Sequence, residues 1–429
     1  MKIAVVGGGS TYTPELVAGF AKRVAELEVE ELVLHDVDPE RLAVVGGLAH
    51  RILSAQGYPG RVRTTTVLPD ALDGAASVLI QLRVGGQRTR LRDETIPGRY
   101  GLVGQETTGP GGFAKALRTV PVVLAIAEAA ASYAEPDAWI VDFTNPVGIV
   151  TRALLDEGHR ALGLCNVAIG FQRRFAQHFG VRPEEVELDH AGLNHLTWLR
   201  GVRVAGAEKL PELLFSDYAD QLSADIGVPV ALMRTLNAIP SYYLHYFYCT
   251  DEVVAEQRTG EHRAEQVLAI EQQLLQLYRD PTLDHKPALL DQRGGAYYSE
   301  AAAALVTSLL TGDGARHYVN LRNDGTIAGL ADDAVVEVPA TVDRAGARAV
   351  AVPALQPELL GLVQQVTQYE QLTIAAALSG DRSTAERALL ANPLVRQWDR
   401  ITPLLADIVS ENAEFLPRFV TDSRSGMAQ

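Results

Sequence analysis

Residues 2–14 read Lys2-Ile3-Ala4-Val5-Val6-Gly7-Gly8-Gly9-Ser10-Thr11-Tyr12-Thr13-Pro14. An apolar, β-branched run stops at three glycines and then at a proline. A buried strand that ends in glycines and opens a helix is the mark of a dinucleotide-binding turn. The glycines let the backbone approach a pyrophosphate, and the helix N-terminus offers it free N–H groups and a positive dipole end. Pro14 falls in the first turn of that helix, where a missing N–H costs nothing. Tyr12 occupies the third glycine position of the usual fingerprint, so the turn needs support from the next strand. Glu31-Leu32-Val33-Leu34-His35 supplies it and ends at Asp36. That acid follows Gly9 at somewhat more than the usual ~20 residues, placed to bond the ribose hydroxyls of NAD and repel the extra phosphate of NADP. Gly7, Gly9, Ser10, Thr11 and Asp36 are thus the candidate NAD contacts. The competing reading is a phosphate-free α/β turn with Asp36 as a helix N-cap.

The chain has 429 residues, enough for two packed domains, with 47% hydrophobic and 21% charged residues. A net charge of −15 argues against a nucleic-acid partner. The two cysteines, Cys165 and Cys249, make no disulfide framework and suit a reducing cytoplasm. No leader-like segment precedes the first strand. The apolar run Val120 to Tyr133 is interrupted by Glu128 and is too short to span a bilayer, so no membrane partner is expected.

Strand and helix signals alternate over the first half, as a parallel sheet with crossovers requires. Strands are expected at Arg63–Val67, Ser77–Gln81, Trp139–Phe143 and Ala161–Leu164, with helices at Pro39–Gln56 and Phe113–Ala134. Beyond residue 185, Glu185–Leu188 and Leu196–Val204 read as antiparallel strands, and Ala334–Val338 and Ala349–Val352 as late ones. Gly260–Arg279, Ser299–Leu310 and Pro357–Leu378 read as helices. The expected class is α/β: a Rossmann-like NAD-binding domain at 1–165, then an α+β domain at 166–429 that covers it, of the lactate/malate dehydrogenase C-terminal type. The last eight or so residues are expected to fray.

Polar residues cluster after strand carboxyl ends, where open α/β sheets bind ligands. Gln81 to Gly112 is dense in arginine and glycine and reads as a non-core loop. Arg83, Arg88, Arg90, Arg92 and Arg99 there could form a fork for phosphate or carboxylate, or lie in surface ion pairs. Cys165 and His195 sit in polar contexts, C-N-V-A-I-G and G-L-N-H-L-T-W. Spacing alone leaves them open as a metal pair, or as a buried thiol and a structural histidine. Tyrosines cluster in Ile239–Tyr248; packing is the ordinary reading, but a tyrosine beside a metal or an arginine can ionise below its usual pKa of ~10.

These motifs resemble glycoside hydrolase family 4, the NAD- and metal-dependent glycosidases, and within it the 6-phospho-β-glucosidases. The resemblance runs from G-G-G-S-T-Y-T-P-E-L through D-E-T-I-P and Q-E-T-T-G-P-G-G to D-F-T-N-P-V-G, G-L-C-N, G-L-N-H and R-G-G-A-Y-Y-S. The block Gln105–Gly112 is its most specific part, absent from malate and lactate dehydrogenases. The family stands outside two-carboxylate glycoside hydrolysis. The resemblance implies hydride removal from C3 of the sugar by NAD and a divalent metal, usually manganese, that acidifies the C2 proton. A tyrosine then takes that proton, the aglycone leaves C1, water adds and the hydride returns. It implies Cys165 and His195 as metal ligands, Tyr243 as the base with Tyr242 its rival in register, and Glu106 as an acid tuning that tyrosine. It implies Arg90, Asn145 and Arg263 as holders of a small phosphorylated β-glycoside, and a homodimer or homotetramer. Asn166 stands where α-acting members have an aspartic acid, so it is a substrate contact that cannot protonate a leaving group, which favours β-glycosides. Ala168 replaces a common proline. The weighed alternatives are a relative acting on unphosphorylated glycosides, a 2-hydroxy-acid dehydrogenase and a non-catalytic NAD sensor.

Overall fold

The computed structural model describes residues 1–294 and 297–421. The expected frayed tail and Gly295-Ala296 of the R-G-G-A-Y-Y-S motif lie outside the described residues. Six parallel strands come first: β1 (Lys2–Val6), β2 (Glu31–His35), β3 (Arg61–Thr65), β4 (Ser77–Ile80), β5 (Trp139–Asp142) and β6 (Ala161–Leu164). Their spatial order is β3-β2-β1-β4-β5-β6, the doubly wound arrangement. β4, β5 and β6 are buried throughout and almost wholly apolar, as strands covered on both faces must be. β3, at the edge, carries Arg61 and Arg63. The strand order reverses between β1 and β4, which opens a crevice above their carboxyl ends.

The later strands are β7 (Val186–Leu193), β8 (Leu196–Val204), β9 (Ala207–Glu208), β10 (Ile239–Pro240), β11 (Arg316–Arg322), β12 (Val335–Asp343) and β13 (Gly346–Ala349). They do not form a layer over the first six. β11 pairs antiparallel with β6, and β12, β7, β8 and β10 follow outward, so among the described residues thirteen strands make one sheet. One register row crosses the join: Gly163 of β6 faces Asn320 of β11, which faces Glu337 of β12, which faces Gly192 of β7. That row brings the segment after β6 beside the turn after β7, and hence the surroundings of Cys165 beside those of His195.

The reading of Gln81–Gly112 as a loop outside the core is corrected. Gly86–Thr95 is an α-helix, Pro97–Tyr100 a 3₁₀ turn, and a long helix starts at Gly109. Gln87, Thr89, Arg90, Asp93 and Glu94 are buried. Apolar periodicity missed this helix because it is buried through paired charges: Arg118 forks onto Asp93 at 2.7 and 2.9 Å, and Arg90 donates to Glu94 at 2.7 Å. The arginines accordingly divide. Arg92 and Arg99 turn to the chain's far end, Arg92 onto the Glu411 carbonyl and Glu414, Arg99 onto Asp407 and Glu411; Arg88 is exposed. Smaller shifts lie at element ends: β3 starts at Arg61, β7 runs on to Leu193, and the last strand is Gly346–Ala349. Among the described residues no helix is long and apolar enough to cross a membrane.

Candidate active site

The turn after β1 is built as a nucleotide cradle. Gly7 has φ +89°, and a Cβ there would lie 2.3 Å from the Gln81 carbonyl oxygen, so only glycine fits. The Gly7 and Gly8 amides donate to the His35 carbonyl at 2.9 and 2.7 Å. The Gly9 amide donates to Asp36 Oδ2 at 2.9 Å, and a Cβ on Gly9 would strike that carboxylate. Asp36 is not the cap of the next helix: Asp38 is, accepting from the Glu40 and Arg41 amides at 3.0 Å. Asp36 instead stands between the glycine turn and the end of β2. Ser10 and Thr11 lead into the Thr13–Ala21 helix, with Pro14 in its first turn. Thr11 is fully buried; its carbonyl accepts from the Tyr278 hydroxyl at 2.8 Å and its Oγ1 has no partner.

Cys165 follows β6 directly, and His195 sits in the two-residue turn Asn194-His195 that joins β7 to β8. His195 takes φ +63°, a strained backbone for a non-glycine residue of the kind that collects at functional sites. Its ring stacks on Tyr243 with centroids 3.6 Å apart and planes 13° from parallel. Both ring nitrogens are buried without a hydrogen-bond partner. Burial drives His195 down to about 3, so the imidazole is neutral and free to ligate. Burial pushes the Cys165 thiol up, and the Glu337 charge adds to it; metal binding would have to displace that proton. The Tyr298 hydroxyl approaches Cys165 Sγ at 3.9 Å. Among the described residues no group of three or more His, Cys, Asp or Glu converges as a metal cage. Cys165, once deprotonated, and the neutral His195 are each of a type that could ligate a divalent ion.

Beneath the turn lies a buried carboxylate. Glu337 Oε1 lies 2.8 Å from His190 Nε2, while Oε2 accepts from Asn194 at 3.0 Å and Asn320 at 3.2 Å. Burial alone would raise this carboxyl; His190 and Asn194 hold it below its ordinary value, so it stays charged. A second cluster surrounds Glu106, which accepts from Arg83, from Lys115 at 2.8 Å, and pairs with Arg90 at 3.3 Å. Against burial, these cations hold its carboxyl well below the usual range. Burial, with Arg83 beside it, brings Lys115 down to about 7.

Arg90 Nε bridges Glu106 and Glu94, and Glu94 Oε2 accepts from the Ala264 amide at 2.8 Å. This joins Arg90 to the first turn of the Arg263–Tyr278 helix. Arg263 itself is exposed, and its guanidinium donates to the Gln292 and Arg293 carbonyls at 2.9 and 3.2 Å. Asn145, after β5 and before a cis bond to Pro146, has a buried Oδ1 with no partner. Asn166 stands at the start of the Val167–Phe179 helix and lines a cavity of about 570 Å³ together with Tyr242. Tyr243 is surrounded by Tyr242, Tyr298, Cys165 and Tyr246, and its phenol is held well above 10, burial first. Burial raises the neighbouring Tyr246 to about 12; Glu94, and less so Glu106, add to this and Arg90 opposes it.

Three residues escaped the sequence reading. Lys115 interrupts the apolar Phe113–Leu117 stretch of a buried helix, Glu337 interrupts Val335–Val338, and Tyr298 belongs to a motif read only for its likeness. A lone charge inside an apolar run was the available signal for the first two.

A doubly wound sheet with a glycine-rich turn after its first strand is the architecture of dinucleotide-binding enzymes. More specifically, the chain belongs to the family 4 glycosyl hydrolases: the model of that family matches residues 2–181 and that of its C-terminal domain residues 190–395. It is 39% identical to a probable 6-phospho-β-glucosidase of Bacillus subtilis, over 98% of each chain. It is 36% identical to the 6-phospho-β-glucosidase of Escherichia coli, over 98% of this chain and 97% of that one. The solved structure of the Thermotoga maritima 6-phospho-β-glucosidase with manganese, NAD⁺ and glucose 6-phosphate superposes with a TM-score of 0.90 at 35% identity, covering 97% of this chain and 99% of that one.

Proposed function

We propose that the chain is an NAD- and manganese-dependent 6-phospho-β-glucosidase, hydrolysing small phosphorylated β-glycosides by oxidation, elimination, addition and reduction. The observation that carries this is the neutral, unpartnered imidazole of His195, stacked on Tyr243, on which Cys165 also bears, in a sheet whose first turn is a glycine-rich cradle. NAD would be held by Gly7, Gly9, Ser10, Thr11 and Asp36, and supplies hydride acceptance and return. Cys165 and His195 would hold the divalent ion, which polarises a sugar oxygen and favours the phenolate of Tyr243. Tyr243 then takes the C2 proton; its stack on His195 supports it over Tyr242, which faces the cavity. Arg90, Asn145 and Arg263 bind the phosphorylated sugar. Glu106 fixes Arg90, Arg83 and Lys115 around it and keeps their summed charge in check. Asn166 contacts the substrate without donating as an acid, in keeping with a β-linkage. Residues 1–165 carry the cofactor and, through Arg90 and Asn145, part of the sugar site; residues 166–429 carry the rest of the substrate site and the subunit contacts of a cytoplasmic homodimer or homotetramer.

The test is an aryl β-glucoside offered with and without a 6-phosphate, with NAD and manganese added or withheld. Turnover of only the phosphorylated substrate, and only with both cofactors, is expected. Full turnover in the presence of a chelator would end the reading.

A further inference from the structure

A second, much smaller cavity of about 30 Å³ lies beside the Asn194-His195 turn, lined among others by Thr108, Gly148, His195 and Glu370. That is room for about one water, whose share of the liquid is roughly 30 Å³. Three of the lining residues bring buried polar atoms that have no partner among the described residues: Thr108 Oγ1, Glu370 Oε2 and both ring nitrogens of His195. All three residues are more than nine-tenths buried. They come from separate segments. Glu370 lies on the Pro357–Ser379 helix, and Thr108 is the N-cap of the Gly109–Tyr133 helix. A threonine there ordinarily caps its helix with the hydroxyl. Here the hydroxyl takes no amide of that helix, while the Thr108 amide is held by Gln105 Oε1 at 2.7 Å. Gly148 shows how closely the other two segments meet: a Cβ on it would lie 3.1 Å from Asn194 Cβ and 3.2 Å from Glu370 Oε1. A neutral imidazole has one lone pair and one N–H. A histidine that gives its lone pair to a metal almost always donates the other N–H to a carboxylate, a carbonyl or a water. Glu337 does not serve, since its two oxygens are taken by His190, Asn194 and Asn320.

We propose that this cavity holds one ordered water that accepts the second ring N–H of His195 and donates to Thr108 Oγ1 and Glu370 Oε2, which makes Thr108 and Glu370 positioning residues for the metal ligand. Three partners fall within the two to four that a buried water makes. The water decides which ring nitrogen carries the proton, and so which lone pair is left for the ion. It also ties the strained turn to two helices, one from each half of the chain. The role toward the ion rests on the metal-dependent glycosidase reading above. The water site itself does not need the ion.

Three measurements test this. A high-resolution crystal structure of the full chain should show a water within hydrogen-bond distance of His195, Thr108 Oγ1 and Glu370 Oε2. A dry cavity, or a direct bond between His195 and Glu370, overturns the proposal. Nitrogen NMR of histidine-labelled, chelator-treated protein should show His195 as a single neutral tautomer in the wild type and as a mixture of two in Thr108→Val, with His195→Ala assigning the signal. The same tautomer pattern in both overturns it. Manganese titration should then find binding weakened about three- to tenfold in Thr108→Val, the loss of one of the water's three bonds, with NAD affinity unchanged. Thr108→Ser keeps the hydroxyl and should restore manganese affinity. Equal affinity in Thr108→Val and the wild type, or an equal loss in Thr108→Val and Thr108→Ser, assigns Thr108 to packing and removes the relay. Should the wild type bind no manganese at all, the metal reading falls, while the water and the tautomer remain to be read.

Discussion

The two halves of the sheet make their site residues in different ways. In the parallel half, the candidate groups Gly7, Asp36 and Cys165 directly follow β1, β2 and β6, and Asn145 lies three residues past β5. Short-range chemistry suffices to place them. In the antiparallel half, His195 is placed by a register row across four strands and by a buried carboxylate that takes donors from β7 with its turn and from β11. The first half is a ligand cradle made of turns; the second is a long-range scaffold under one imidazole.

The two halves should therefore fail separately, and the largest effects test this. Gly7→Ala should abolish NAD binding, since its Cβ would lie 2.3 Å from the Gln81 carbonyl, while manganese still binds. Cys165→Ser and His195→Ala should do the converse, losing manganese and turnover but retaining NAD. Metal analysis and NAD titration on each purified variant read this; full metal occupancy in both Cys165→Ser and His195→Ala would remove the metal assignment. Next is Tyr243→Phe, which removes a base and little volume. It should lower kcat by the ~10²–10⁴-fold typical of a lost general base and stop exchange of a C2 deuterium, with Tyr242→Phe nearly neutral. The opposite pattern would shift the tyrosine register by one.

Glu337 tests the scaffold. Glu337→Gln keeps the shape but offers an amide to His190, Asn194 and Asn320, so the Asn194-His195 turn loses its anchor. Manganese affinity should weaken by about 10–100-fold, the usual effect of losing a partner that orients ligands, with NAD affinity unchanged. Arg90→Ala should reduce the preference for phosphorylated over plain substrate by about 10- to 150-fold, the equivalent of one charge-assisted contact. An unchanged ratio would assign Arg90 to its pairs with Glu94 and Glu106 alone.

This division also explains what the sequence made legible. The β1 turn, Asp36 and the strands β4 to β6 were readable because apolar runs and glycines act locally. The pairing of β11 with β6 was not, since no residue in Arg316–Arg322 signals its partner; the covering expected of the second half is done by helices such as Pro357–Ser379, while its strands extend the first sheet. The buried helix Gly86–Thr95 was hidden because its burial rests on Asp93–Arg118 and Arg90–Glu94, which composition reads as surface. Cys165 and His195 were singled out through family likeness alone, whereas Glu337 lay inside an apolar strand that advertised only core.

The smallest effect concerns the helix Pro357–Ser379, which packs on Gly109–Tyr133 and Val147–Asp156 in the first half and on β7 in the second. It carries Glu370, which is buried, with Oε2 unpartnered and Oε1 close enough to Gly148 that a Cβ there would lie 3.2 Å away. Burial, only partly offset by Arg152, raises Glu370 to about 8. The folded state thus holds a proton that the unfolded chain releases near its ordinary carboxylate pKa of ~4.3. Its stabilising effect is complete below that pH and declines as pH rises through about 8. Melting temperature should therefore fall between about pH 5 and pH 8 in the wild type, and Glu370→Gln, a permanently neutral isostere, should flatten that part of the fall. Because the helix spans both halves, manganese and NAD binding should shift together in Glu370→Ala, unlike the separate losses at Gly7 and Cys165. An unaltered pH slope in Glu370→Gln would show that the carboxyl is already ionised in the folded protein and paired with Arg152.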